Sequence, residues 1–398
     1  MDGSQFRNFG PERQREIFLQ SLGDNNVSIP TDYEKLRSLA RESMEDGPFG
    51  YVDGNAGLNE TTRNNSRAFE KWQIQPRVLR GIEDRTLSTD VLGNSLPAPL
   101  FLAPVGVQSI IHPDGALASA RAASDVGVPF VHSTVSSFTI EDVGDIDAEP
   151  APWFQLYWSS LNELNKNLTN RAEEKGYQGI IITLDTPIMG WRPRDLDQGY
   201  LPFLEGDGLS NYTSDPAFLD QLDTSPDESL EEAILLFFEI FSDPSVNWSD
   251  LRDLISTTDL PVLVKGIMHP EDGLKAVENG ARGVVVSNHG GRQIDGEMPA
   301  LDALEPTVEA LPDDRIVLFD SGIRSGSDVF KALALGADSV LLGRPYLYGL
   351  GAAGEDGVRA VIKNILAEFD ITLGLSGYAN VDSIQRDALK ETSLKTEG

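Results

Sequence analysis

Cysteine is absent from this chain of 398 residues, which excludes disulfides, thiolate metal sites and cysteine nucleophiles together. Any redox chemistry must therefore come from a cofactor. Histidine is scarce too, with four in the whole sequence. His112, His132 and His269 have neither His-x-His nor His-Glu-x-x-His spacing, so no metal site is expected. No apolar stretch approaches the roughly 18 residues of a spanning helix, and the first residues lack the apolar core of a signal peptide. Positive charge is outnumbered: 63 Asp and Glu against 32 Lys and Arg leave a net charge of −31, spread along the chain. A uniformly acidic surface argues against nucleic acid and anionic membranes as partners. What these absences leave is a soluble, cytoplasmic enzyme from a halophile, whose salt-rich cytoplasm screens the charge.

What is present is a repeated alternation of apolar runs and helical patterns. Eight short runs, at 100–105, 129–133, 153–157, 179–185, 261–266, 283–287, 315–320 and 339–343, are mostly followed by an amphipathic stretch and a glycine. Eight strand-then-helix units predict an α/β fold of the (β/α)8 TIM-barrel type. The rival, an open doubly wound sheet, usually carries a Gly-x-Gly-x-x-Gly turn after its first strand, and none follows 100–105. Residues 1–95 read as a helical extension with loops, and 96–398 as the barrel. About 75 residues separate the fourth and fifth strands, far more than a normal crossover. An insertion at about 190–248 is therefore expected to form a lid over the strand ends. Its apolar stretch 230–241 lacks a basic flank, which favours packing of a lid helix over membrane contact.

Chemistry-bearing residues gather where strands end. The sixth run, Gly283-Val284-Val285-Val286, is uninterrupted and β-branched, as a buried parallel strand should be. It leads into Ser287-Asn288-His289-Gly290-Gly291-Arg292-Gln293, which combines a candidate base, a guanidinium and two glycines. Loops at that end of a barrel carry catalysis. The last two strands end in Gly322 with Arg324 and Gly343 with Arg344, the place where barrels bind phosphate. Read as structure alone, those glycines serve turns and the arginines pair with surface acids.

The 287–293 run, with Leu-Val-Lys-Gly upstream and Phe-Asp-Ser-Gly-Ile-Arg and Leu-Gly-Arg-Pro downstream, resembles the FMN-dependent family that oxidises 2-hydroxy acids. The likeness extends over about 33–389. The stretches 182–187, 190–196 and 209–212 (Leu-Ser-Asn-Tyr) are most similar to the branch that oxidises lactate as a monooxygenase. The resemblance implies FMN as cofactor and a homo-oligomer, commonly a tetramer. It places Ala103, Pro104, Ser133, Gln155, Thr183, Lys265 and Ser287 around the flavin ring, Asp320 near the ribityl chain, and Gly322, Arg324, Gly343 and Arg344 at the phosphate. It makes His289 the base, Asp185 its partner, and Tyr157 and Tyr51 neighbours of the substrate hydroxyl and carboxylate. Arg292 and Arg192 become the carboxylate clamp, which suits the bidentate geometry of guanidinium, and Tyr212 a substrate contact in the lid. Two departures bear on substrate size: Thr134-Val135 follows Ser133 where several oxidases have an aromatic residue, and Leu201 replaces a tyrosine of lactate oxidase.

The expected reaction is oxidation of L-lactate or a similar (S)-2-hydroxy acid, with lactate plus oxygen going to acetate, carbon dioxide and water. Release of peroxide, or transfer of electrons to a quinone, is the alternative within the class. A barrel that binds a phosphorylated ligand without turnover is the alternative outside it. The charge makes a prediction of its own. As salt approaches 1 M the screening length falls to about 3 Å, so thermal stability should rise from dilute buffer toward molar potassium chloride. A melting temperature that stays flat or falls over that range contradicts the halophilic reading.

Overall fold

The computed structural model describes residues 6–20 and 29–392. Eight parallel strands form its central sheet: β1 (Leu100–Leu102), β2 (Val131–Ser133), β3 (Trp153–Tyr157), β4 (Ile180–Thr183), β5 (Val262–Ile267), β6 (Gly283–Val286), β7 (Ile316–Phe319) and β8 (Ser339–Leu342). Pairing runs in sequence order from β2 to β8, and β8 returns to β1. A parallel bridge between Leu102 and Phe130 closes the ring. The barrel expected from eight strand-then-helix units is thus the one observed, with each strand falling within a residue or two of its apolar run except β1, where 103–105 turn out into a loop.

The strands point alternate side chains inward and outward, except that β5 has an irregularity between Lys265 and Ile267 at its upper end. Outward residues such as Leu102, Phe154, Ile182, Val264, Val286 and Phe319 join the layer packed under the helices. Inward residues, among them Phe101, Val131, Trp153, Ile181, Leu263, Val285, Leu318 and Leu341, fill the lower barrel. Helix chemistry follows the sequence where it was legible: Ser325 caps Gly326–Ala334 through a capping box with Asp328, and Gly336 takes the left-handed backbone (φ +100°) that ends the turn.

The segment before the barrel departs from a purely helical reading. It has four helices, Phe9–Gln20, Tyr33–Ser43, Asp46–Asp53 and Glu60–Glu70, but also two strand pairs. A hairpin, Thr89–Val91 with Asn94–Leu96, inserts Val91 and Leu96 into the lower barrel as a plug. Trp72–Ile74 pairs antiparallel with Leu389–Glu391, tying the N-terminal segment to the C-terminal one. Asp370 anchors the extension from below, accepting from Gly10 N at 2.9 Å and bidentately from Arg85 at 2.9 and 3.0 Å.

The long β4–β5 connection folds into short helices, Pro193–Gln198, Ser210–Thr213, Pro216–Leu219 and Leu230–Ile240, with its own aromatic core. Phe237 packs at 5.0 Å from both Phe203 and Tyr212 and at 4.9 Å from Phe241. The apolar stretch of Leu230–Ile240 is used here, burying Ala233, Ile234, Phe237 and Ile240. Among the described residues no helix is long and apolar enough to cross a membrane.

His132 lies on the outer face of β2, wholly buried, with Nδ1 3.0 Å from the Tyr177 hydroxyl and Nε2 without a partner. Burial pushes its pKa down to about 4, against roughly 6.5 in an unfolded chain. A depressed folded-state value gives stability that is complete above pH ~6.5 and is lost as pH falls through about 4. His132→Phe should therefore lose less stability on acidification than the wild type, by on the order of 3 kcal/mol between neutral pH and pH 4. Thermal melts across that range test it, and parallel acid limbs for the two proteins would contradict the neutral buried imidazole.

Candidate active site

The inward alternation continues past the apolar plug and changes character. Two residues beyond Phe101, Val131, Trp153, Ile181, Leu263, Val285, Leu318 and Leu341 stand Ala103, Ser133, Gln155, Thr183, Lys265, Ser287, Asp320 and Gly343. The same strand faces that build the floor thus present polar and small groups at the C-terminal rim. Above them lies an open cleft, about 920 Å3 when counted out to its mouth.

Of the residues singled out in the sequence, Tyr51, Ala103, Pro104, Tyr157, Arg192, Lys265, His289, Arg292, Asp320, Gly322, Arg324, Gly343 and Arg344 line this cleft. Asp185 stands directly behind His289, with Oδ1 2.8 Å from Nδ1. An ionised carboxylate only accepts, so Nδ1 carries the proton and donates. The lone pair is left on Nε2, which faces the Tyr157 hydroxyl at 3.4 Å. Burial holds the His289 pKa below its usual value, with Asp185 opposing and Lys265 reinforcing that shift. The imidazole is therefore neutral near pH 7 and able to take a proton. Burial would raise Asp185, but the fields of His289 and Lys265 outweigh it and keep the carboxyl ionised.

Lys265, only 4 % exposed, sits between two carboxylates, 3.6 Å from Asp185 Oδ2 and 3.7 Å from Asp320 Oδ2. Burial opposes its charge, but these two acids raise its pKa on balance. The base itself is held on unusual backbone: His289, Gly290 and Gly291 all have positive φ, at 56°, 65° and 76°. Left-handed backbone is strained for a histidine. Here it is pinned from below, His289 N donating to Ser287 Oγ at 3.0 Å and Gly290 N to Ser321 Oγ at 3.0 Å. At Gly291 a Cβ would stand 2.8 Å from Thr62 N, so only glycine fits.

The two clamp arginines differ in how they are held. Arg292 spends Nη1 on the carbonyls of Tyr51 and Gly54, both at 2.7 Å, and lies over the Tyr51 ring at 5.1 Å. That leaves Nε and Nη2, the edge suited to a bidentate anion. Arg192 donates from Nε to Arg292 O and from Nη2 to Gln293 Oε1, both at 3.1 Å. Burial, then the neighbouring Arg192, lower the Arg292 pKa to about 9. A desolvated cation pressed against a second cation is an electrostatic vacancy for a carboxylate.

Three assignments change. Tyr212 does not line the cleft; it is fully buried, edge-on to Phe218 and Phe237, and belongs to the core of the lid. Arg344 lines the cleft and also braces loops, giving four of its five N–H groups to Val52 O, Gly290 O, Gly54 O and Asn55 Oδ1 and keeping one Nη1 hydrogen. Ser287 lies beneath His289 and accepts its N–H. Sequence reasoning gave no role to Ser321, which joins the β6 and β7 loops by accepting from Asn288 N and Gly290 N and donating to Asp320. Gln293 was visible in the motif but not as a contact between loops. Of the two departures in substrate-size positions, Val135 lines the cleft beside Gly106, whereas Leu201 does not.

The rim fits a flavin. Gln155 Nε2 and Thr183 Oγ1 are buried with no hydrogen-bond partner, a cost that a ring with N–H and C=O edges would remove. Gly322 has φ +117°, and nothing lies within 4 Å of where a Gly343 Cβ would be, which gives the open backbone cradle a phosphate needs.

The clamp is testable through inert anions. Arg292→Lys replaces a planar fork with a point charge, so affinity for oxalate, followed in the flavin spectrum, should fall by about tenfold or more. Unchanged oxalate binding would move the clamp elsewhere.

Comparison with known proteins agrees with this geometry. Residues 40–391 match the model of the FMN-dependent dehydrogenase family. An L-lactate oxidase of Lysinibacillus sphaericus is 40% identical over 357 residues, covering 90% of this chain and 92% of that protein. An FMN-dependent alpha-hydroxy acid dehydrogenase of Schizosaccharomyces pombe is 42% identical, covering 94% and 95%. Among solved structures, an oxidised active mutant of (S)-mandelate dehydrogenase superposes with a TM-score of 0.83 at 35% identity, covering 92% of this chain and all of that one. The chain belongs to the FMN-dependent dehydrogenase family.

Proposed function

We propose that the protein oxidises a small (S)-2-hydroxy acid of the L-lactate class to its 2-oxo acid, with oxygen as acceptor, and retains the products until the 2-oxo acid loses carbon dioxide. For lactate the balance is lactate plus oxygen to acetate, carbon dioxide and water. The observation that carries the oxidation is a neutral imidazole, aimed by a buried carboxylate, facing two guanidiniums without carboxylate partners in one cleft. The similarity to L-lactate oxidase supports the substrate class.

In this reading Arg292 and Arg192 take the substrate carboxylate, and Tyr51 flanks it. His289 Nε2 accepts the hydroxyl proton, and Asp185 stabilises the resulting imidazolium. The Tyr157 hydroxyl, whose pKa burial raises to about 12, stays protonated and serves as a neutral donor beside Nε2. FMN supplies the two-electron acceptor when bound. Ala103, Pro104, Ser133, Gln155 and Thr183 would hold its ring, Asp320 its ribityl chain, and Gly322, Arg324 and Gly343 its phosphate. Lys265 would stabilise the negative charge gained on reduction.

The lid supports retention. Its 207–211 stretch is fastened to the loop after β2: Ser210 N donates to Ser136 O at 3.1 Å, Asn211 Nδ2 to Thr134 O at 3.0 Å, and Ile140 N to Asn211 Oδ1 at 2.8 Å. Phe241 then packs 5.4 Å from Tyr157, so the lid core rests on the site. Slow escape favours reaction between trapped products. The wall at Val135 and Gly106 is apolar, which suits the apolar side chain of a substrate such as lactate.

Oxidation of lactate in air should give acetate in preference to free pyruvate, and His289→Gln should keep flavin while losing at least about a hundredfold in anaerobic flavin reduction. Stoichiometric peroxide from the intact enzyme would make it a simple oxidase. Reduction of a quinone analogue without oxygen uptake would make it a dehydrogenase. A flavin-loaded protein that no 2-hydroxy acid reduces would return it to the non-catalytic class.

A further inference from the structure

The loop bearing the base and one arginine, 288–293, meets the start of the lid, 185–192, along a seam that one side chain closes. Gln293 donates from Nε2 to Asp185 O at 2.8 Å and to Ile188 O at 3.1 Å. Its Oε1 accepts from Arg192 Nη2 at 3.1 Å and from Gly190 N at 3.4 Å. Both ends of the amide face groups of the right polarity, so its orientation is fixed by the partners. The seam has no slack: a Cβ on Gly190 would stand 2.4 Å from Arg292 O and 2.8 Å from Gln293 Cα.

We propose that Gln293 is a positioning residue that sets the spacing of the two clamp arginines and registers it against the His289–Asp185 pair. The proposal rests on reading the cleft as a site that oxidises a 2-hydroxy acid. One amide touches the backbone of the base's partner and the side chain of one clamp arginine, and it is the next residue after the other. Arg192 and Arg292 repel each other, and Arg192 is kept in place by two acceptors, Gln293 Oε1 and Arg292 O. Both acceptors are neutral. They orient the guanidinium without cancelling the charge that the substrate must meet, which an acidic side chain would do. The seam thus ties the start of the β4–β5 connection to the loop that carries His289 and Arg292.

Gln293→Glu keeps the size and the acceptor but removes both donors and sets a carboxylate against Arg192. In flavin-loaded protein, oxalate affinity should fall by about tenfold or more, and half-saturating lactate should rise by a larger factor than the limiting rate of flavin reduction falls. Gly190→Ala strains the same seam from the lid side without touching a charge, and should weaken oxalate in the same direction. Either variant that holds flavin decides the matter. Oxalate binding within twofold of wild type in such a variant overturns the proposal, and so does a wild type with no oxalate affinity. Weakened oxalate in the variants of a protein that no 2-hydroxy acid reduces would leave the seam standing and the oxidation reading refuted.

Discussion

The inward–outward alternation of the barrel strands, from the floor up to the rim residues, is the constraint on which the rest depends. Because the period is two, the residue that packs the axis and the residue that meets a ligand are fixed relative to one another on each strand. Trp153, Ile181, Leu263 and Leu318 form a dry floor, and the same strand faces deliver Gln155, Thr183, Lys265 and Asp320 above it. A slip of one residue in any of these four strands would send its polar group out among the helices and Phe154, Ile182, Val264 or Phe319 into the site. The Val91–Leu96 hairpin plugs the other end, so the axis opens only toward the rim.

On this floor stands a row of charges that would be costly singly and are tolerable together. Asp320, Lys265, Asp185 and His289 follow one another at 3.7, 3.6 and 2.8 Å, each buried ion facing one of opposite sign. His289, which its surroundings hold neutral, ends this row, and its Nε2 lone pair is where a proton can be taken up. Across the cleft the balance is the opposite: Arg192 and Arg292 are buried with carbonyl and amide partners but, among the described residues, no carboxylate within ion-pair reach. A satisfied row facing a pair without carboxylate partners is the contrast on which the proposed recognition of a 2-hydroxy acid rests.

The lid belongs to the same construction. Asp53 accepts from Arg37 on the N-terminal extension at 2.7 and 2.8 Å, from Arg194 at the start of the lid at 2.9 Å, and from Tyr348 after β8 at 2.7 Å. These bonds hold its carboxyl near pKa 2 although burial would raise it. The neighbouring carbonyls of Tyr51 and Gly54 in turn grip Arg292. Extension, lid and barrel rim therefore share their fixings, and a cleft built from four distant stretches of chain behaves as one unit.

The sequence by itself determined the eight strands, the rim location of the chemistry and most of the groups that face the cleft, because apolar β-branched runs and the residues that end them are local properties. His289, Asp185, Lys265 and Arg292 could be picked out as types suited to their tasks by where they sit on those runs and by a family likeness. Only the tertiary structure decided what each side chain has left to offer. Tyr212 has a suitable group for a substrate contact, yet packing among Phe218 and Phe237 turns it inward. Arg344 has the charge for a phosphate, yet four oxygens from elsewhere in the chain occupy four of its five donors. The plug hairpin, the pairing of Trp72–Ile74 with Leu389–Glu391 and the Gln293 seam join residues tens to hundreds of positions apart. Such pairings are chosen by closure of the barrel and competition for the last free donors and acceptors, and no local pattern records them.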